Sequence, residues 1–556
     1  MPTVTIDGRT VEVEAGTNLI EAGEKVGVQI PHYCYHPRLS VVGQCRMCLV
    51  KVDGIPKLQA ACSTLVVKDG MVVRVEDPEV KEAQEGVMEF LLINHPLDCP
   101  ICDQAGECGL QDYSFKHGQA FSRFRFEEKR TYPGRERIPL GPHVLLNMNR
   151  CIQCTRCIRF TEEISKTGEL GFFQRGARTE IGVFPGVQLD NPLSGCVVDV
   201  CPVGALTSTR FRFAERVWYL DKKPSICTGC DVGCNITLEH RGGVIRRYKP
   251  RFNPAVNDYW MCDFGRGSHE RYERAERLSA PRRRGADGQP VGTSWKDALD
   301  TVYRHLRHAP EQRVAFLASG HLSTEEAFLL GQIAHSIGSP QQAVWVEEGP
   351  TRSIPTPDGD VTGREAAPNR RGAEMAGLKG AEGAPSADDF LHGEAASSCQ
   401  VLVVADGDPG SAAHEPEVVE RLRQARFLVV LGWAETPLSR CADVALPWAT
   451  HAEKDGTFVN LQWRLQRFQR AFPPRGAARP GTEILTDLLA RLDPRWNELS
   501  TSQIFRLFAE NIGRSDLTLE GIPAQGVELL QASRSQEAGI PPPTAEASTA
   551  GEAPQP

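Results

Sequence analysis

No run of ~18 apolar residues occurs in the 556 residues of this chain, so none of its helices is expected to span a membrane. The N-terminus, MPTVTIDGRTVEV, alternates apolar and polar residues from the start. It lacks the basic start and apolar core of a secretory leader, which predicts a cytosolic chain whose thiols stay reduced. An excess of one charge is missing too. The 63 Lys and Arg are mixed with 71 Asp and Glu, for a net charge of -8, and a nucleic-acid binder would need a concentrated basic face. The one basic run, Arg282-Arg283-Arg284 after Pro281, reads as a solvated polar linker. No Gly-rich dinucleotide fingerprint follows a predicted strand, so no nicotinamide or flavin site is expected. There is no internal repeat, and beyond Cys262 cysteine is reduced to Cys399 and Cys441.

What the chain has is cysteine in its first half. Of 18 cysteines, all but Cys262, Cys399 and Cys441 lie between Cys34 and Cys234. In a reducing compartment that density argues for metal ligation over disulfides. The length predicts about three to five domains. Residues 1–80 read as a small β-rich domain, with a hairpin around Asp7-Gly8 and a short helix in NLIEAGEKVGV. Residues 81–120 carry helical spacing up to Pro96. From 121 to 218 cysteine-bearing loops alternate with short helices, and 219–275 form another cysteine-rich unit. Residues 276–520 read as an α/β domain in which strands such as RVAFLAS and ARFLVVLG alternate with helices as in a doubly wound sheet. Within it, the Gly-, Ala- and Pro-rich stretch 350–398 reads as a long irregular loop. The tail, 533–556, has a disordered composition.

Four ligand sets follow from spacing. Cys34, Cys45, Cys48 and Cys62 offer four thiolates on a small β domain, which suits a [2Fe–2S] centre; the first gap is longer than the plant-type C-x4-C-x2-C. Four thiolates also suit zinc, and that alternative stays open from residues alone. His95, Cys99, Cys102 and Cys108 form the second set. A lone histidine there would read as a cap or surface residue. The local run supplies three thiolates where a [4Fe–4S] cubane takes four ligands, which makes His95 the fourth. Cys151, Cys154 and Cys157 form a C-x2-C-x2-C run, and Cys201 before Pro202 completes the bacterial ferredoxin pattern of a [4Fe–4S] centre. Cys227, Cys230, Cys234 and Cys262 form the fourth set, again read as [4Fe–4S]. Cys196, Cys399 and Cys441 read as buried small residues.

The segments PHYCYHPRLSVVGQCRMC at 31–48, CPICDQAGECGLQ at 99–111 and RCIQCTRCIRF at 150–160, in that order, resemble the signature segments of the large iron–sulfur subunit of respiratory complex I, the NADH–quinone oxidoreductase. The resemblance implies a β-grasp [2Fe–2S] ferredoxin-like domain followed by ferredoxin-like [4Fe–4S] modules. It also implies the ligand roles above, including the histidine. The second half is similar to the molybdopterin oxidoreductase fold, in SWKDAL at 294–299, NRRGAEMAGL at 369–378 and ADVALPWATHAEKDGTFVNLQWRLQ at 442–466. Active members of that fold commonly have a lysine just after the last cluster cysteine. Here MCDFGRG places Phe264 there, the domain is short, and no cysteine stands where a metal ligand would, so no molybdopterin is expected. The implied function is one-electron relay without a substrate site of its own. A flavoprotein, a thioredoxin-like [2Fe–2S] subunit, and ferredoxin-like and quinone-site subunits would be its partners on the cytoplasmic side of the membrane. The competing readings are a molybdenum or tungsten NAD-linked formate dehydrogenase, an iron-only hydrogenase and a structural zinc protein.

Overall fold

The computed structural model describes residues 1–406 and 414–529; the tail expected at 533–556 lies outside the described residues. The chain divides into two compact units, Met1–Leu220 and Asp221–Pro556. No helix among the described residues is long and apolar enough to cross a membrane.

The first unit begins with the expected hairpin. Strands Thr3–Ile6 and Arg9–Glu12 pair antiparallel, Ile6 opposite Arg9. Asp7 and Gly8 both take positive φ, 43° and 79°, the two-residue turn whose twist matches paired strands. Thr3–Ile6 then pairs parallel with Met71–Arg74 inside a five-stranded sheet. Helix Leu19–Lys25 starts where the Asn18 side chain accepts from the N–H groups of Ile20 and Glu21. It covers a core of Val4, Ile6, Val13, Leu19, Ile20, Val50 and Val73. Each such side chain contributes about 1.5–3 kcal/mol on burial, which anchors the cysteine loop between that helix and strand Leu49–Val52. Cys48 and Cys62 flank the pairing of Leu49 with Ala60.

Helix Pro78–Leu92 follows, with Pro78 at its first position and Asp77 as its cap, both favoured there. Helix Gly109–His117 comes next. Strands Val144–Leu146 and Leu206–Ser208 then pair antiparallel and bracket two short helices, Arg156–Arg159 and Cys196–Val200. The first widens into a π turn at Phe160–Ile164.

The second unit opens with three antiparallel strands, Asp221–Ile226, Asn235–Arg241 and Val244–Pro250. A seven-stranded sheet follows, in the order Pro290–Gly292, Arg282–Arg284, Val444–Pro447, Leu428–Gly432, Val401–Asp406, Val314–Ser319 and Gln341–Trp345. The last five pair in parallel, and helices such as Trp295–His308 and Thr324–Ser336 pack on it around a large apolar core.

Two expectations are corrected. Arg282-Arg283-Arg284 is no linker but an inner strand, paired with Gly292 on one side and Ala445 on the other at Arg282. Arg282 meets the buried carboxylate of Glu435 at 2.5 Å and Arg284 meets Asp443 at 3.0 Å, so acids distant in sequence face two of the three charges. Residues 350–398 are not one irregular loop. They hold a hairpin of Glu348–Ile354 with Val361–Glu365 and helices Arg370–Met375 and Ala387–Leu391. The buried Asn369 pins this stretch by donating to the Leu322 carbonyl and accepting from the Val459 N–H.

Candidate metal centres

Among the described residues no three His, Cys, Asp or Glu side chains converge on a single-ion site. The cysteines gather in a different way, around loops and hollows.

In the first set the thiols are near enough to perturb one another, Cys45 and Cys62 acting on Cys34 and Cys62 on Cys48. The Cys34 N–H also donates to Cys45 Sγ at 3.5 Å. Gly43 and Arg46, with φ of 61° and 59°, turn the loop back on itself. The thiols of Cys45 and Cys62 hold Cys34 well below the ordinary thiol range, and Cys45 and Cys62 are pushed up in return. Four crowded sulfurs that resist joint ionisation suit a cationic iron core, since the thiolate is the ligand form.

In the second set Cys102 and Cys108 are buried and Cys99 is exposed. Cys99 opens a tight turn to Ile101, and Cys108 sits at the start of helix Gly109–His117. His95 lies just past helix Pro78–Leu92. Burial, then the charges of Arg150 and Lys129, lower its pKa to about 4, so the imidazole is neutral, the form that ligates metal. Its ring makes no hydrogen bond to the three thiols among the described residues. Arg150 pairs with Asp98 at 3.0 Å beside this loop.

In the third set Cys151, Cys154, Cys157 and Cys201 line one hollow, with Ile181, Val203 and Leu206 among its apolar walls. Gln153 and Thr155, alternate residues of the run, are left-handed at φ 53° and 66°. That conformation costs about 1–2 kcal/mol per non-glycine residue, and here it wraps the chain around the hollow. The Gln153 N–H donates to Cys151 Sγ at 3.3 Å. Burial pushes Cys201 up to about 12 and Cys157 well above its ordinary value. Cys196 is buried on the next helix and does not line the hollow.

The fourth set, Cys227, Cys230, Cys234 and Cys262, lines a second hollow with Met261, Phe264 and Arg352. The N–H groups of Gly229 and Gly265 donate to Cys227 and Cys262 Sγ, each at 3.4 Å. Burial pushes Cys227 up to about 11. Arg352 had no signal in the sequence because it stands in the stretch read as loop. It is buried, lies 3.9 Å over the Phe264 ring and donates to the Gly229 carbonyl at 3.3 Å. Cys399 is buried in the α/β core, and Cys441 is half-buried against it.

Within the first unit the third set touches both of the others, and Tyr33 beside Cys34 also donates to the Gly109 carbonyl beside Cys108 at 3.4 Å. On one side Gln44 donates to the Gln153 carbonyl at 2.9 Å, and Arg159 donates to the Cys34 carbonyl at 2.5 Å. On the other, the Gly109 N–H donates to the Pro202 carbonyl at 3.1 Å, and a methyl at Gly204 would overlap Cys102 Sγ. Arg156 and Arg159 stand inside RCIQCTRCIRF, so the motif itself contained the signal for them, though not their direction.

Comparison with known proteins places each site within a matched family region. A 2Fe-2S iron-sulfur cluster binding domain matches residues 1–78, and an NADH-ubiquinone oxidoreductase-G iron-sulfur binding region matches 84–123. The ferredoxin-like domain of NADH-quinone oxidoreductase subunit 3 matches 141–207. The molybdopterin oxidoreductase Fe4S4 domain matches 220–274 and the molybdopterin oxidoreductase family 369–491. The chain is 41% identical over 341 residues, 61% of this chain and 50% of the relative, to the G subunit of NADH-quinone oxidoreductase from Rickettsia felis. It is 40% identical over 334 residues, 60% and 39%, to the protein of that name from Streptomyces coelicolor. Against the mitochondrial NADH dehydrogenase [ubiquinone] iron-sulfur protein 1 of Solanum tuberosum it is 43% identical over 336 residues, 60% and 45%. The matches thus span about half the length of these relatives. A solved NAD+-reducing [NiFe]-hydrogenase is 28% identical over 39% of this chain and 91% of that one, with a TM-score of 0.35, too low to fix a fold. The chain therefore holds 2Fe-2S and 4Fe-4S binding domains and shares the molybdopterin oxidoreductase fold.

Proposed function

We propose that this chain, a homologue of the proteins named as the G subunit of NADH-quinone oxidoreductase, is the iron–sulfur relay subunit of a proton-pumping NADH–quinone oxidoreductase. Cys34, Cys45, Cys48 and Cys62 would hold one [2Fe–2S] cluster. His95 with Cys99, Cys102 and Cys108, then Cys151, Cys154, Cys157 and Cys201, then Cys227, Cys230, Cys234 and Cys262 would hold three [4Fe–4S] clusters. When bound, the clusters supply reversible one-electron transfer at potentials set by charge, hydrogen bonds and burial.

The observation that carries this reading is the mutual contact of the three ligand sets in the first unit. The third set's segment touches both neighbours, through the Arg159 side chain and the Pro202 carbonyl, and Tyr33 beside Cys34 donates to the Gly109 carbonyl beside Cys108, so the chain packs three one-electron sites side by side. The exposed Cys99 marks a side of this group of sites that a partner subunit could approach. The flavoprotein, thioredoxin-like, ferredoxin-like and quinone-site subunits are the proposed partners, with the complex peripheral on the cytoplasmic face of the membrane. The α/β domain of the second unit is read as a scaffold without molybdopterin.

Iron, sulfide, molybdenum and tungsten content, measured with low-temperature EPR on the anaerobically purified, dithionite-reduced chain, tests the proposal. About fourteen iron atoms per chain, with one [2Fe–2S] and three [4Fe–4S] signals, is the expected result. Stoichiometric molybdenum or tungsten would overturn it in favour of an NAD-linked formate dehydrogenase.

A further inference from the structure

We propose that Arg156, half-buried, and Arg159, buried, form a cationic bridge that raises the reduction potentials of the Cys34 and the Cys151 centres together. This rests on the relay reading of both sites. Arg159 is buried. Its guanidinium donates to the carbonyl of Cys34 at 2.5 Å, to that of Cys154 at 3.4 Å and to that of Ser40, and its Nε donates to Thr155 Oγ1 at 3.1 Å. Arg156 donates to the carbonyl of Tyr35, beside Cys34, and to that of Val200, beside Cys201, at 3.3 Å. Its Nε is buried without a hydrogen-bond partner. Each side chain therefore grips both cysteine loops at once.

The charges are the informative part. Among the described residues neither guanidinium has a carboxylate partner. Of the two acids that follow in sequence, Glu162 is exposed, and Glu163 accepts instead from the N–H and hydroxyl of Ser40, both bonds made to an uncharged group. Two guanidiniums held among carbonyls at low exposure are costly unless a counter-charge lies close. Among the described residues no carboxylate supplies it, but both loops carry ligand sets. Four thiolates outweigh the positive charge of an iron–sulfur core, so a filled site is anionic, and it gains a further negative charge on reduction. A fixed cation near both sites favours the reduced form of each. Because the same two residues touch both loops, the two potentials move together, which keeps neighbouring sites matched for one-electron exchange.

The bland alternative is that the arginines tie two loops by hydrogen bonds alone. Gln44 provides the comparison, since it ties the same loops through the Gln153 carbonyl and carries no charge. The test is potentiometric EPR titration of the whole complex, with iron content, for Arg156→Gln, Arg159→Gln, the two Arg→Lys variants and Gln44→Ala. Each Arg→Gln change is expected to lower both midpoints, so that the reduced-to-oxidised ratio at the wild-type midpoint falls about tenfold, 59 mV for a one-electron couple. The lysine variants should restore most of the shift, and Gln44→Ala should leave both midpoints in place. Unmoved midpoints in the glutamine variants, or an equal shift in Gln44→Ala, would overturn the proposal. Should the glutamine variants lose their clusters, the lysine variants decide. Loading at near wild-type midpoints supports the charge, and loss of clusters there as well overturns it. Absence of the two signals from the wild-type complex would instead refute the relay reading.

Discussion

Gly265 offers a test of the fourth site that separates backbone from side-chain effects. It lies in the short helix Asp263–Gly267, directly after Cys262, and its N–H donates to Cys262 Sγ. A methyl placed on it would lie 2.9 Å from Cys227 Sγ, 3.5 Å from Cys262 Sγ and 3.6 Å from the Met261 side chain. Ordinary contact between such atoms needs about 3.5–4.0 Å, so Cys227 Sγ must retreat by roughly 0.8 Å. Two effects oppose each other in Gly265→Ala. Helix propensity favours alanine by at most about 1 kcal/mol. Overpacking in a filled site costs about 1–3 kcal/mol, and it falls on a sulfur that has to meet iron at fixed geometry. Overpacking wins for the holo state alone, so the variant chain should fold yet load its fourth cluster poorly. The expected result is a loss of up to about four iron atoms per chain and of one [4Fe–4S] EPR signal, with the other three signals intact. Full iron content with an unchanged fourth signal would refute the argument that Cys227 Sγ must stay where it is for a cluster to bind.

Three further outcomes follow from the structure. His95→Ala should abolish or shift one [4Fe–4S] signal, and His95→Cys should retain that cluster at a midpoint lower by at least about 60 mV, because a thiolate adds negative charge; an unchanged spectrum in His95→Ala would remove His95 from the ligand set. Lys454 is buried and ion-paired with buried Glu326 at 2.6 Å, so Lys454→Met strands a carboxylate and should cost about 3–5 kcal/mol, read as a melting transition of the second unit lower by about 10 °C, with the signals of the first three sites unchanged. Glu325 is fully buried, and burial raises its pKa to about 7 against an ordinary 4.5, while it accepts from the Thr457 N–H and hydroxyl. The folded state then holds a proton that the unfolded state releases, so stability should fall by about 3 kcal/mol as pH rises from 4.5 to 7; denaturant titrations across that window should lose this slope in Glu325→Gln, and a wild-type chain whose stability rises there would refute the assignment.

The local features were legible in the sequence because their causes are local. The Asp7-Gly8 turn needs two positive φ values, and its residues supply them. The C-x2-C-x2-C run at Cys151, Cys154 and Cys157 brings three thiols to one hollow through the conformation of a few intervening residues. Helices Trp295–His308 and Thr324–Ser336 carry their capping serines and apolar spacing within a few turns. What tertiary structure decided has causes far away along the chain. Three consecutive arginines have no apolar alternation, so nothing nearby marks Arg282–Arg284 as a strand; Glu435 and Asp443 make it one. Arg352 reaches the Cys227 hollow across more than a hundred residues on a hairpin that its Gly- and Pro-rich surroundings concealed. The contact of the third ligand set with the first and second is likewise a matter of packing. Spacing fixes which sulfurs a loop presents, whereas the neighbours of that loop depend on which buried carbonyls Arg156, Arg159 and Gly109 find once the domains have closed around them.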